Sequence, residues 1–230
     1  MVLDTTVERR EAQTRTVDNV EQLRTLPKGV MRAAVKVDGV DGEVRYFERH
    51  VNRNGDLGGF VEDTAYAGKD TYVGAKALVL EKARMTDHSM IYGTTTLCEG
   101  AALQDDARFY SDGGIMRGWS RGFGDAHIAE WVLLEGNINV GGHVHVYGID
   151  NERRTVLGGQ GSLTGHMWIY DGINWRNEED VVESDEHFGT QEQVDAFLSK
   201  LKNDKLVKGQ EQIAGLVRHG QHQDMGGQSM

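Results

Sequence analysis

"ARMTDHSMIYGTTTLCEGAALQDDARF" (residues 83–109) decides the fold. It shows neither a helical face nor two-residue alternation. Instead Met85, Ile91, Leu97, Leu103 and Phe109 follow one another at intervals of six. A period of 3.6 cannot generate that spacing, and a simple strand would not skip every third position.

The frame extends upstream through Val61, Ala67, Val73 and Val79, and downstream to Ile115. Two residues before the anchors, from Ala67 onward, stand Ala65, Thr71, Ala77, Ala83, Ser89, Thr95, Ala101, Ala107 and Gly113, all small. Such a chain makes a short strand, turns a corner and repeats. Large side chains fill an interior, and small ones let the backbone bend inward. Glycines just after an anchor, at Gly68, Gly74 and Gly141, suit corners that a side chain would crowd. Three hexads close one triangular coil, and coils stack about 4.7–4.9 Å apart. Stacking is what buries the core, because no single repeat can.

The frame slips by one within "MRGWSRGFGDA" (residues 116–126) and resumes at Ile128, Leu134, Val140 and Val146. That stretch reads as a bulge or short loop thrown out from a corner. A second interruption, "DNERRT" (residues 150–155), precedes anchors at Leu157, Leu163, Ile169 and Trp175. The expected fold class is all-β: a single-stranded parallel β-helix over 57–176, of about six coils.

The flanks read as caps. Over 1–56, "DNVEQLRTL" (18–26) predicts a short helix capped by Asp18, with Glu21 three residues on. "VMRAAVKV" and "EVRYFERHV" around "DGVDG" (38–42) predict a β-hairpin. Over 177–230, a charged linker leads to short helices. One has Thr190 and Gln193 in capping-box spacing and an apolar face of Val194, Phe197, Leu198 and Leu201. Another runs through Ile213, Leu216 and Val217, before a flexible tail from His219.

A net charge of −11 argues against nucleic acid or anionic membrane surfaces as partners. Thirty glycines with a single proline suit many tight turns. The lone Cys98 excludes an internal disulfide framework. The charged N-terminus carries no secretory signal, and no apolar run reaches the length of a membrane span. These features predict a cytoplasmic location.

"NGDLGGFVEDTAYAGKDTYVGAKALV" (residues 54–79) resembles the opening of the YdcK-like β-solenoid proteins of bacteria and their prophages. Those chains begin G-x-L-G-G-F/W-hydrophobic-E and continue in A-x-V-x-G-x repeats. Gly55, Leu57, Gly58, Gly59, Phe60 and Glu62 match the opening, and Ala65–Gly68 and Thr71–Gly74 begin the repeats. The hexads as a whole resemble left-handed hexapeptide-repeat proteins, a group that includes trimeric acyltransferases using a histidine and acyl-CoA. Resemblance of architecture is not resemblance of activity.

Candidate bases are His88, His127, His143 and His145. His143 and His145 flank Val144, so both are expected to point outward on the same face. Either would need a carboxylate or carbonyl to fix its tautomer. A γ-type carbonic anhydrase implies an H-x4-H ligand pair, which this chain lacks, so no metal site is assigned. Cys98 has no activating neighbour. "RGWSRGFG" places Trp119 and Phe123 beside Arg117 and Arg121, a composition favoured in interface hot spots. The reading is a non-enzymatic scaffold or interaction protein without cofactor, contacting proteins or copies of itself as a homotrimer. Its sharpest form is a phage virion accessory, decorating a capsid or associated with a tail. The alternatives are an acyltransferase using His143 or His145 with acyl-CoA and, more distantly, a metal-dependent hydratase.

Overall fold

The structure is a computed structural model that describes residues 14–37, 43–170 and 172–224, with only the backbone of 209–224. The chain divides into two units, 1–190 and 191–230.

The hexads do stack. On the first face Val61, Val79, Leu97, Met116, Leu134, Leu157 and Trp175 pair in parallel register. The second face stacks Ala67, Met85, Leu103, Gly122, Val140, Leu163 and Val182. The third stacks Val73, Ile91, Phe109, Ile128, Val146, Ile169 and Phe188. Most of these side chains are completely buried. The last coil carries the stacking through strands Val181–Ser184 and His187–Phe188, past residue 176.

The expected bulge at 116–126 does not exist. Ile115–Met116 and Arg121–Gly122 are ordinary strands, paired with Thr96–Leu97 and Ala102–Leu103. The slip falls earlier, between Phe109 and Met116, at the corner Ser111–Gly114. Met116 is fully buried, while Ile115 is half-buried and faces outward. Gly122 occupies an anchor position with no side chain at all. Leu103 fills its place, with Cδ1 2.6 Å from where a Gly122 Cβ would stand. The second interruption is as expected: turns at 150–153 separate Tyr147 from the strand Thr155–Gly165.

The corners also differ from expectation. The left-handed residue is the second after an anchor, not the first. Early coils place carboxylates there, Glu81, Asp87, Glu99 and Asp105, at φ of 57–58°. Later coils place glycine there, including Gly118, Gly124, Gly136 and Gly142. A non-glycine residue in this region costs roughly 1–2 kcal/mol. The carboxylates offset it by reaching across to the next coil. Glu62 accepts from Glu81 N (2.6 Å), Glu81 from Glu99 N (2.7 Å) and Glu99 from Gly118 N (2.8 Å). On another corner Asp105 accepts from Gly124 N (2.9 Å).

The N-terminal cap contains β1 (Thr14–Val17), α1 (Val20–Leu23), β2 (Arg32–Lys36) and β3 (Val44–Val51), and it joins β4 (Leu57–Glu62), the first strand of the first face. α1 is capped by Asn19, whose side chain accepts from Gln22 N, rather than by Asp18. β2 and β3 form the expected antiparallel pair, and β1 adds in parallel. The "DGVDG" turn lies outside the described residues. β3 runs antiparallel to β4 and ends the parallel stacking. Leu23, Phe47, Phe60, Leu78 and Leu80 form one core between cap and first face. Arg49, 5% exposed, donates to the carbonyls of Val30, Gly58, Leu26 and Pro27 over the Phe60 ring. Asn52 stands in for a missing strand, giving both an acceptor and a donor to Val73. Gly58 and Gly59 lie against backbone carbonyls of Val73 and Ala77 so closely that no Cβ would fit. That contact explains the double glycine of the opening motif.

In the second unit, one helix, α2 (Gln191–Asp224), replaces the two short helices expected. The tail beyond Asp224 lies outside the described residues. No helix of the described residues is long and apolar enough to cross a membrane.

Candidate functional site

The third face is the chemically distinctive surface. A strand points alternate residues outward, so each anchor here is flanked by two outward positions. Those before the anchors carry Tyr72, Met90, Arg108, His127, His145, Trp168 and His187 in register. Those after them include Tyr92, Tyr110, Ala129 and Tyr147 in register, followed by Tyr170.

These rings stack along the coil axis. His145 lies on Trp168 at 4.0 Å and 9°, and Tyr147 on Tyr170 at 5.5 Å and 14°. Within one strand, His145 and Tyr147 are nearly parallel at 6.4 Å and 5°. The rings from His145 to Tyr170 therefore form parallel shelves, whereas His127 meets His145 and Tyr147 edge-on at 75° and 74°. Small residues admit diagonal contacts. Gly74 lets Tyr72 stack on Tyr92 at 4.8 Å, and Ala129 leaves Tyr147 Oη 3.4 Å from His127 Nδ1. Most of the rings are half-buried, and Tyr110 is 46% exposed.

Burial sets their protonation. It pushes the pKa of His127 and His145 down, helped by Arg108 for the first and by His127 and His143 for the second. It pushes the phenols of Tyr92, Tyr147 and Tyr170 up. These two imidazoles and three phenols therefore favour their uncharged forms at neutral pH, on a chain of net charge −11. His145 Nδ1 is buried without a hydrogen-bond partner.

The corner beside the strip carries a second column, Asp70, His88, Asp106, Asp125, His143, His166 and Asp185, one residue from each coil. His143 Nδ1 lies 3.5 Å from Asp125, His166 Nδ1 3.2 Å from Asp185, and His88 Nδ1 3.8 Å from Asp106. His143 and His166 stack at 4.8 Å. The two histidines expected to share one aspect are therefore separated. His143 sits on the corner with a carboxylate partner, and His145 sits on the face against Trp168. Among the described residues no three His, Cys, Asp or Glu side chains converge as a metal site would require.

The proposed contact residues are also dispersed. Arg117 pairs with Glu135, which in turn holds Arg176 from two coils away. Trp119, 65% exposed, lies over Gly100, and Phe123 covers Gly141. Arg121 is exposed on the second face between Ala102 and Asn139. They occupy consecutive strands and corners instead of one loop. Cys98 packs under the cap, where burial and the carboxylates of Glu81 and Glu99 push its thiol up to about 11. A cleft of about 640 Å³ lies between cap and second face, bordered by Tyr46, Val51 and Tyr66.

Composition could not reveal the aromatic strip, because its members stand 18, 19 or 23 residues apart as corners lengthen. The discoverable signal was Tyr72–Met90–Arg108 at one regular coil, beside Asp70–His88–Asp106. No protein-family model, curated protein or solved structure matches this chain.

Proposed function

We propose that the protein is a non-enzymatic β-solenoid scaffold that binds a protein partner, or further copies of itself, through its third face. The observation that carries this reading is the half-exposed strip of aromatic and imidazole rings from Tyr72 to His187, interrupted by Met90 and Arg108. Aromatic side chains already ordered by their neighbours lose little rotamer freedom on binding and supply most of the energy of protein contacts. The resemblance of residues 54–79 to prophage-associated solenoids supports the narrower form, a virion accessory acting as a homotrimer. Trp119 and Arg121 form a separate candidate contact under the same reading.

The test compares two surface variants with wild type by light scattering and by co-sedimentation with particles from the native source. Tyr110→Ser/Tyr170→Ser is expected to weaken association while melting stays close to wild type. Trp119→Ala/Arg121→Ala measures the second surface in the same way. Unchanged association in both variants discards the reading.

A second reading is favoured by one observation: Asp125 supplies the carboxylate that a His143 base would need. An acyltransferase using that pair requires acyl-CoA. Added acyl-CoA should then raise the melting temperature, and His143→Ala should abolish the rise. No shift with cofactor removes this alternative.

A further inference from the structure

We propose that His143 and His166 form a two-imidazole chelate for a borderline divalent cation of the zinc, nickel or copper class. The two rings come from adjacent coils, 4.8 Å apart and 18° from parallel. Asp125, on the coil before, faces Nδ1 of His143, and Asp185, on the coil after, faces Nδ1 of His166. With Nδ1–H donating to a carboxylate, each ring keeps its Nε2 lone pair free for a metal. Metal-binding histidines carry this outer carboxylate as a rule, because it fixes the tautomer and raises the basicity of the ligating nitrogen.

Metal–imidazole bonds of about 2.0–2.1 Å in tetrahedral geometry place two nitrogens roughly 3.3 Å apart. Each Nε2 lone pair lies in its ring plane, so binding must rotate the two rings out of their parallel stack until the nitrogens converge, which side chains 54% and 68% exposed are free to do. Imidazole pairs favour copper, nickel and zinc over magnesium or calcium, which prefer oxygen. With only two protein ligands, the remaining positions are open to water or to a donor from a partner. The site is thus exchangeable rather than structural. His88 provides an internal control. It occupies the same column with Asp106 on Nδ1, but its neighbours there are Asp70 and Asp106, so no second imidazole faces it. This inference rests on the corner column and is independent of the third-face reading.

The experiment titrates zinc into the metal-free, untagged full-length chain by calorimetry. In parallel, imidazole 15N shifts are followed by NMR, with circular dichroism confirming the fold of each variant. The expected result is one equivalent bound with micromolar half-saturation, and metal-dependent shifts at Nε2 of His143 and His166. Either His143→Ala or His166→Ala should weaken binding at least tenfold, whereas His88→Ala should leave it unchanged. Asp185→Asn should weaken it less and alter the tautomer signature of His166. Three outcomes overturn the proposal: no binding up to millimolar zinc, equal binding in the double histidine variant, or single variants that each retain full affinity.

Discussion

Replacing Arg49 with methionine tests how the cap is held to the coils. The guanidinium donates to Gly58 O (2.8 Å) in a buried setting and to Val30, Leu26 and Pro27 carbonyls (2.9, 2.7 and 3.2 Å) in partly buried ones. Hydrogen bonds to a charged group are worth about 1.5–3 kcal/mol. The Gly58 bond is expected near the top of that range and the other three well below it, since water can replace them. The cation over Phe60, at 4.4 Å, adds roughly 1–2 kcal/mol. Against this stands the desolvation of Arg49 itself, seen in its lowered pKa, which methionine would relieve. The net loss is about 3 kcal/mol. Solenoids do not unfold as one two-state unit, so a single melting point is a poor gauge. Native-state hydrogen exchange is the appropriate assay. Amides of β2 and β3 should exchange on the order of 100-fold faster, while those of Ile128 and Val146 stay protected. Arg49→Lys should recover only part of the loss, because an ammonium cannot fork to Gly58 and Val30 together. A change of less than about 3-fold in β2 and β3, or equal loosening throughout the coils, would refute the reasoning.

Gly59→Ala should destabilise the first coil by about 1–3 kcal/mol or more, since its methyl would collide with the Ala77 carbonyl; denaturant unfolding of the variant checks this. Stability should fall on acidification. Burial works to raise the pKa of Glu62, but Arg45 and the Glu81 N–H outweigh it and hold it down, while Thr86 and the Asp105 N–H lower that of Asp87. Stabilisation from depressed carboxylates is complete above their ordinary values near 4 and is lost as pH drops through the folded ones. Melting temperature measured from pH 7 to 3 should therefore decline at the acid end, and less steeply in Glu62→Gln. Cys98 should react slowly with a thiol reagent at pH 8 in the native state and rapidly in denaturant, because burial keeps the thiol protonated. Equal rates in the two states would contradict its placement.

The coil architecture was legible because a buried column demands one kind of side chain at one interval. Where the demand relaxes, legibility fails. Gly122 occupies a core position by leaving room for Leu103, so it gives no apolar signal. Ile115 and Met116 are both large and apolar, so spacing alone could not tell which turned inward. Glu81, Glu99, Asp87 and Asp105 give no local sign of their bonds, because the amides they accept from belong to residues 18 or 19 positions later. The candidate site was hidden for the same reason. His143 was singled out, but its partners Asp125 and His166 lie one coil below and one coil above.

The corner between the third and first faces absorbs one extra residue between Phe109 and Met116, and five between Val146 and Leu157. The columns above and below keep their register across both. That edge of the prism consequently behaves as a length-tolerant seam. Foreign peptides spliced between Asp112 and Gly113, or between Asn151 and Glu152, would project from the rod at heights set by coil number. The protein would thereby serve as a ruler on which two epitopes could be displayed at a spacing fixed by the backbone.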